Sequence, residues 1–296
     1  MIFSTKNTQA LSWGLIVILA LIWGSSFILM KRGLEVFTAG QVGALRMAVA
    51  ATVFFPVTLT VWRKVPSTSW KFMAVSGIIG NLFPAFLFAT AQTSLSSSLT
   101  GILNAITPLF TLMISIFFFN KKLLRNQVFG LLLGFVGTAG LSLLKSDGGV
   151  GEMNWYVWWV VLATLFYGIS INTVKNYLSD VKPLYVSACA LACTAPFSYA
   201  YLFSTDFVAR MQTHPQALTA LGYLVILGTV GSAFALILFN KLVQISSALQ
   251  ASMTTYLIPI VALVWGWLDQ EPLTVYHILG MLTIISGVYL VNQQGK

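Results

Sequence analysis

Apolar residues in this chain do not alternate with polar ones. They run in blocks of about twenty, separated by short polar breaks, roughly the length that crosses a bilayer core as a helix. The blocks cover residues 11–30, 41–62, 70–90, 97–119, 127–144, 155–174, 184–204, 217–240, 247–268 and 274–292. The pattern predicts an all-α integral membrane fold with ten transmembrane helices. One basic residue precedes the first block, and no small-x-small cleavage site follows it. It is therefore expected to be a retained helix and not a signal peptide.

Two of the blocks share a design. Leu95 to Phe119 and Ser246 to Leu268 both carry small and polar residues early and a proline mid-way. With Pro108 placed on Pro259, an offset of 151, Gly77 meets Gly228, Gly80 meets Gly231, Phe83 meets Phe234, Phe88 meets Phe239 and Ser96 meets Ser247. Trp23-Gly24-Ser25-Ser26-Phe27 with Lys31 parallels Tyr167-Gly168-Ile169-Ser170-Ile171 with Lys175, and Gly130 and Gly137 parallel Gly280 and Gly287. The expectation is two five-helix repeats, residues 1–146 and 150–296. Five is odd, so the second repeat enters from the opposite side and the two are inverted, as in many secondary transporters.

Composition supports the membrane reading and charge orients it. Of 296 residues, 57% are hydrophobic and only 8% charged, against ~25% charged in soluble domains. With the N-terminus in the cytoplasm, eleven Lys and Arg fall inside and four outside, and Arg46 lies within the second segment. That bias predicts both termini in the cytoplasm of a bacterial-type inner membrane. It also accounts for the net charge of +9 through loops facing that side, with no nucleic-acid partner. Cys189 and Cys193, four apart on one face, read as small core residues.

Here the sequence resembles the drug/metabolite transporter superfamily, EamA-like branch, over essentially its whole length. The residues that carry the resemblance are Trp23-Gly24-Ser25-Ser26-Phe27 with Lys31, Leu45-Arg46, Asn104-Ala105-Ile106-Thr107-Pro108, Tyr256-Leu257-Ile258-Pro259, Glu271-Pro272-Leu273-Thr274 and Gly280. The resemblance implies ten helices and a central cavity walled mainly by the first, third, fourth, sixth, eighth and ninth. It also implies alternating access and export of amino acids or other small metabolites. Relatives often have a glutamate after both the fourth and the ninth helix; here the first of these positions reads Asn120-Lys121-Lys122.

Proline has no N–H, so Pro108 frees the carbonyl of Asn104 and Pro259 that of Thr255, both at mid-membrane. Asn104, Thr107, Thr255 and Tyr256 cluster at these kinks and are candidate substrate contacts, with packing kinks as the plainer alternative. Asn81 and its counterpart Ser232 are also at mid-membrane, as cavity groups or as ties between helices. Trp23, Phe88, Tyr167 and Phe239 would supply aromatic walls. Three roles fit Arg46: pairing with Asp269 or Glu271, the favoured reading, snorkelling outward, or binding an anionic substrate group. Lys31 and Lys175, at matched helix ends, are candidate gates. Glycines 130, 134, 137 and 140 make one face of the fifth segment small, for packing within the bundle or for a homodimer contact.

None of the seven acids lies in the middle of a predicted helix, so proton coupling through a buried carboxylate has no candidate. The absence of a mid-membrane Lys/Arg cluster argues against sugar phosphates. There is no phosphate-binding Gly-x-x-x-x-Gly-Lys pattern, no His-Glu-x-x-His and no convergent catalytic set, so no cofactor, metal or enzymatic activity is expected. The chain reads as a secondary-type exporter of small amphiphilic solutes, neutral or zwitterionic, with hydrophobic amino acids first. An uncoupled facilitator, a lipid translocator or a non-transporting membrane subunit are the alternatives.

Overall fold

The computed structural model describes residues 5–121, 124–143 and 153–292. The expected junction between repeats at 146–150, together with Lys122, Lys145, Asp147, Glu152 and Lys296, lies outside the described residues. Regular structure among the described residues is helical throughout. The main elements are α1 (Thr5–Leu34), α2 (Ala39–Val61), α3 (Ser67–Ala91), α4 (Ser97–Phe119) and α5 (Arg125–Ser142). They continue with α6 (Val157–Tyr177), α7 (Pro183–Ser204), α8 (Ala217–Ile245), α9 (Ala248–Leu268) and α10 (Val275–Asn292). Eight of them are long and apolar enough to cross a membrane; α5 and α10 are the exceptions, and these two pack along each other.

Local chemistry explains where helices begin and end. Thr38 and Gln41 form a reciprocal capping box at the start of α2. Ser96 accepts from the Leu99 N–H at the start of α4, and Ser247 accepts from the Gln250 N–H at the start of α9. The far ends of α4 and α9 are both closed by a residue in the left-handed region, Asn120 at φ 51° and Gln270 at φ 58°.

The exposed surface belongs in lipid. Phe117, Phe118, Trp155, Phe203, Leu218 and Trp267 are each 71–76% exposed, an arrangement that water would penalise heavily and hydrocarbon does not. With the apolar spans, this identifies an integral membrane protein. Inside, buried apolar clusters form around Phe27, Leu103 and Leu109 and around Leu19, Met47 and Cys189. Close helix approach depends on small residues. In α5, an added Cβ at Gly134 would meet Leu109 at 2.2 Å and one at Gly137 would meet Ile284 of α10 at 2.9 Å. This part of the glycine stripe is therefore covered within the chain.

Not every helix is plain α-helix. Val75–Leu82 in α3 and Leu227–Phe234 in α8 wind as eight-residue π-helical stretches. The wider turn falls at the matched glycines, Gly77 and Gly80 in one and Gly228 and Gly231 in the other. α4 tightens into a 3₁₀ turn over Asn104–Ile106 just before Pro108. There the Thr107 hydroxyl donates to the Asn104 carbonyl at 2.8 Å, which repairs the bond the proline removes.

Candidate functional site

A cavity lies between the helices. Its walls come from α1, α3, α4, α6, α8 and α9, joined by one side chain of α2, Arg46. Trp23, Asn81, Phe88, Asn104, Thr107, Tyr167, Ser232, Phe239 and Thr255 all line it. Pro108, Tyr256 and Pro259 do not. Both prolines are buried in the packing, and the Tyr256 hydroxyl donates to the Val288 carbonyl of α10 at 3.0 Å. Four further lining residues were not among the candidate contacts: Ser26 and Ser170, at matched places in the two repeats, Asn240, whose position near a helix end favours an interfacial role in the sequence, and Ser252.

The π-helical stretches bring polar groups to this space. Trp23 Nε1 donates to the Gly231 carbonyl at 2.9 Å, tying α1 to the widened turn of α8. The Asn81 amide donates to the carbonyl of Ser76, five residues back, at 2.8 Å. Gly80 leaves room for Ser170, whose Oγ would lie 2.1 Å from an added Cβ. Aromatic rings pair across the walls, Trp23 with Phe239 at 5.0 Å and Phe88 with Tyr167 at 5.7 Å.

Arg46 is the main correction to the sequence expectation. It pairs with neither Asp269 nor Glu271. α2 approaches α8 at Gly228, where an added Cβ would meet Val49 at 2.7 Å and the Arg46 carbonyl at 2.9 Å. From there Arg46 Nε donates to Ser232 Oγ at 2.7 Å. The residue is only 8% exposed, and it lines the cavity.

The acids are taken up at one end of the bundle instead. Lys31 Nζ reaches Asp269 Oδ2 at 2.6 Å and Glu271 Oε1 at 2.9 Å. Arg32 pairs with Asp269 and, at 2.6 Å, with Glu35. Glu271 follows the left-handed Gln270 and folds back onto the N-terminus of α4. Its Oε1 accepts from the N–H and hydroxyl of Ser97 at 3.0 and 2.7 Å, and its Oε2 from those of Ser98 at 3.0 and 2.6 Å. Burial opposes ionisation of Glu271. Hydrogen bonds from Ser98, Lys31 and Ser97 outweigh it and hold the carboxyl at about 2. Gly266 makes the approach possible, since Ser98 Oγ lies 1.7 Å from where its Cβ would be.

At the other end Lys175, the counterpart of Lys31, donates to the carbonyls of Gln244, at 3.3 Å, and Ser246. Lys121 takes the place that Glu271 holds in the second half, and it is exposed. A shallow groove between α1 and α8, lined by Leu21, Ile22, Leu29, Ile226 and Val230, shares Ser26 and Gly231 with the cavity.

A family model described as the EamA-like transporter family matches residues 11–143 and 154–293. An uncharacterized transporter of Archaeoglobus fulgidus is 24% identical over 285 residues, covering 94% of this chain and 98% of that one. A probable terminal-alkyne amino-acid exporter of Streptantibioticus cattleyicolor is 24% identical, covering 95% and 93%. A probable amino-acid metabolite efflux pump of Salmonella typhimurium is 24% identical, covering 93% of each. One solved crystal structure shares the fold at a TM-score of 0.63 and 15% identity, covering 98% of this chain and 97% of that one.

Proposed function

The chain belongs to the EamA-like transporter family, and on that premise we propose that it exports small metabolites by alternating access to the central cavity. The observation that carries this reading is the cavity with its two unlike ends. A chamber is lined by aromatic and polar groups, and at one end of the bundle the half-exposed Lys31 meets the buried Glu271 that Ser97 and Ser98 hold. Asn104 and Thr255, one turn before the two prolines, supply polar contacts from both halves. The names of two relatives point to amino acids and their derivatives as the solute class.

We further propose ten spanning helices in two inverted repeats, 1–146 and 150–296, with both termini cytoplasmic. Matched features support this: the π-helical stretches of α3 and α8, the caps Ser96 and Ser247, and the left-handed closures Asn120 and Gln270. A cysteine placed at exposed Thr93 should label from outside and one at exposed Asn126 only from inside. The reverse would overturn the topology.

The function is tested by efflux from proteoliposomes loaded with a mixture of amino acids and small aromatic solutes. Selective release is expected, and Asn104→Ala and Thr255→Ala should each lower it several-fold. Unchanged kinetics in both variants would remove these residues from the solute path. One observation favours a second reading, movement of lipid-like amphiphiles: the α1–α8 groove that shares Ser26 and Gly231 with the cavity. Scrambling of a fluorescent lipid without amino-acid release would support it.

A further inference from the structure

Among the described residues, Arg46 brings the only formal charge to the lining of the cavity; the others there are apolar, aromatic or neutral polar. It is 8% exposed. Only Nε has a protein partner among the described residues, Ser232 Oγ at 2.7 Å. The two terminal amino groups, four N–H donors in a planar fork, are left without one. A guanidinium cannot shed its charge, and burying it without a counter-ion at membrane depth is costly.

No acid of the described chain can serve. Glu35, Asp269 and Glu271 are held by Lys31 and Arg32, and Asp206 by Arg210 at 2.8 Å. Asp180 lies in the α6–α7 turn.

The surroundings say what shape of counter-ion would fit. Ser232 follows Gly231, whose carbonyl anchors the Trp23 indole, and that ring packs on Phe239 at 5.0 Å. A charged fork therefore lies close in the fold to an apolar aromatic wall. Opposite charge is missing: an ammonium in this cavity would meet only neutral oxygens such as those of Asn81 and Asn104.

Resting on the exporter reading, we infer that the cavity takes amphiphilic solutes of net charge −1, with a carboxylate or sulfonate seated bidentately on the free amino groups of Arg46 and the apolar body against Trp23 and Phe239. It favours anionic derivatives within that solute class over the neutral or zwitterionic members expected from the sequence. It also supplies a driving force. One negative charge leaves per cycle, so an inside-negative potential drives export without any acid in the membrane.

The test uses purified protein in liposomes and three probes of similar body and different charge: 2-phenylethanesulfonate, phenylalanine and phenethyltrimethylammonium. A potassium diffusion potential is imposed with valinomycin. The expected result is sulfonate efflux at least tenfold faster than that of the other two, accelerated when the interior is negative. Arg46→Gln should reduce it at least tenfold, with Arg46→Lys in between. If Arg46→Gln does not fold, Ser232→Ala should still raise the half-saturating sulfonate concentration several-fold. The sulfonate should also raise the unfolding temperature of the wild-type protein, and phenylalanine should not. Phenylalanine efflux that matches or exceeds sulfonate efflux would overturn the charge inference and leave the exporter reading standing. Efflux of none of the three would overturn both for solutes of this size.

Discussion

The two ends of the bundle share a backbone plan and differ in chemistry. At each, a serine caps the helix that starts there, a left-handed residue closes the helix that ends there, and a lysine of the facing helix reaches in. At the Glu271 end that lysine meets a buried carboxylate already gripped by two hydroxyls and two backbone N–H groups. At the Lys175 end it meets two backbone carbonyls, and the residue after the left-handed turn is an exposed lysine. Parting the first end strands a buried carboxylate that has lost its lysine; parting the second leaves groups that water can recover. The lesson is that matched geometry does not give matched gates. The side chain after the left-handed turn decides how tightly each end is held.

The largest effect is expected from Glu271→Gln. An amide cannot accept from four donors and still balance Lys31, so a loss of about 3 kcal/mol is expected, read as a lower unfolding temperature in detergent. Because Glu271 titrates at about 2 instead of its ordinary 4.5, its stabilising contribution is complete above pH 4.5 and is lost as pH falls towards 2. The wild type should show that loss, and Glu271→Gln should not.

Gly266→Ala should come next, at about 1–3 kcal/mol, because the new methyl would displace Ser98 from the carboxylate. Smaller again is Lys175→Met, at about 1–2 kcal/mol, since it removes bonds to neutral carbonyls only. A loss as large as that of Glu271→Gln would erase the contrast between the ends. The smallest change in stability, a gain of up to about 1 kcal/mol, is expected of Lys121→Glu, which supplies the carboxylate the first half lacks. Solute efflux should slow as that end tightens, and unaltered efflux would show that Lys121 does not face this gate.

The order and extent of the helices were legible in the chain, because each is an uninterrupted apolar block and lipid leaves the backbone few alternatives. The prolines pointed to the right stretches of α4 and α9, but the groups that reach the cavity sit a turn earlier, at Asn104 and Thr255. Pro108 and Pro259 are packed, and Tyr256, one step round the helix from Thr255, turns to α10. Glycines 77, 80, 228 and 231 marked matched positions of the repeat without revealing the π-helical winding, which adds about a residue per turn and leaves no periodic trace. Arg46 was given the wrong partner: it bonds Ser232 and neither acid. Lys31 and Arg32 hold those acids first, and that competition becomes visible only once α1 and α9 are seen side by side.

The central claim is that the Glu271 end must open for solute to pass. Cysteines replacing Lys31 and Asp269, in a background lacking Cys189 and Cys193, could be bridged across that end by a bifunctional methanethiosulfonate about as long as the lysine side chain they replace, since the native contact at 2.6 Å is made by the tip of Lys31. Efflux from proteoliposomes is expected to stop on cross-linking and return with dithiothreitol. Efflux that continues at the reduced rate constant while the cross-link is closed would contradict the account.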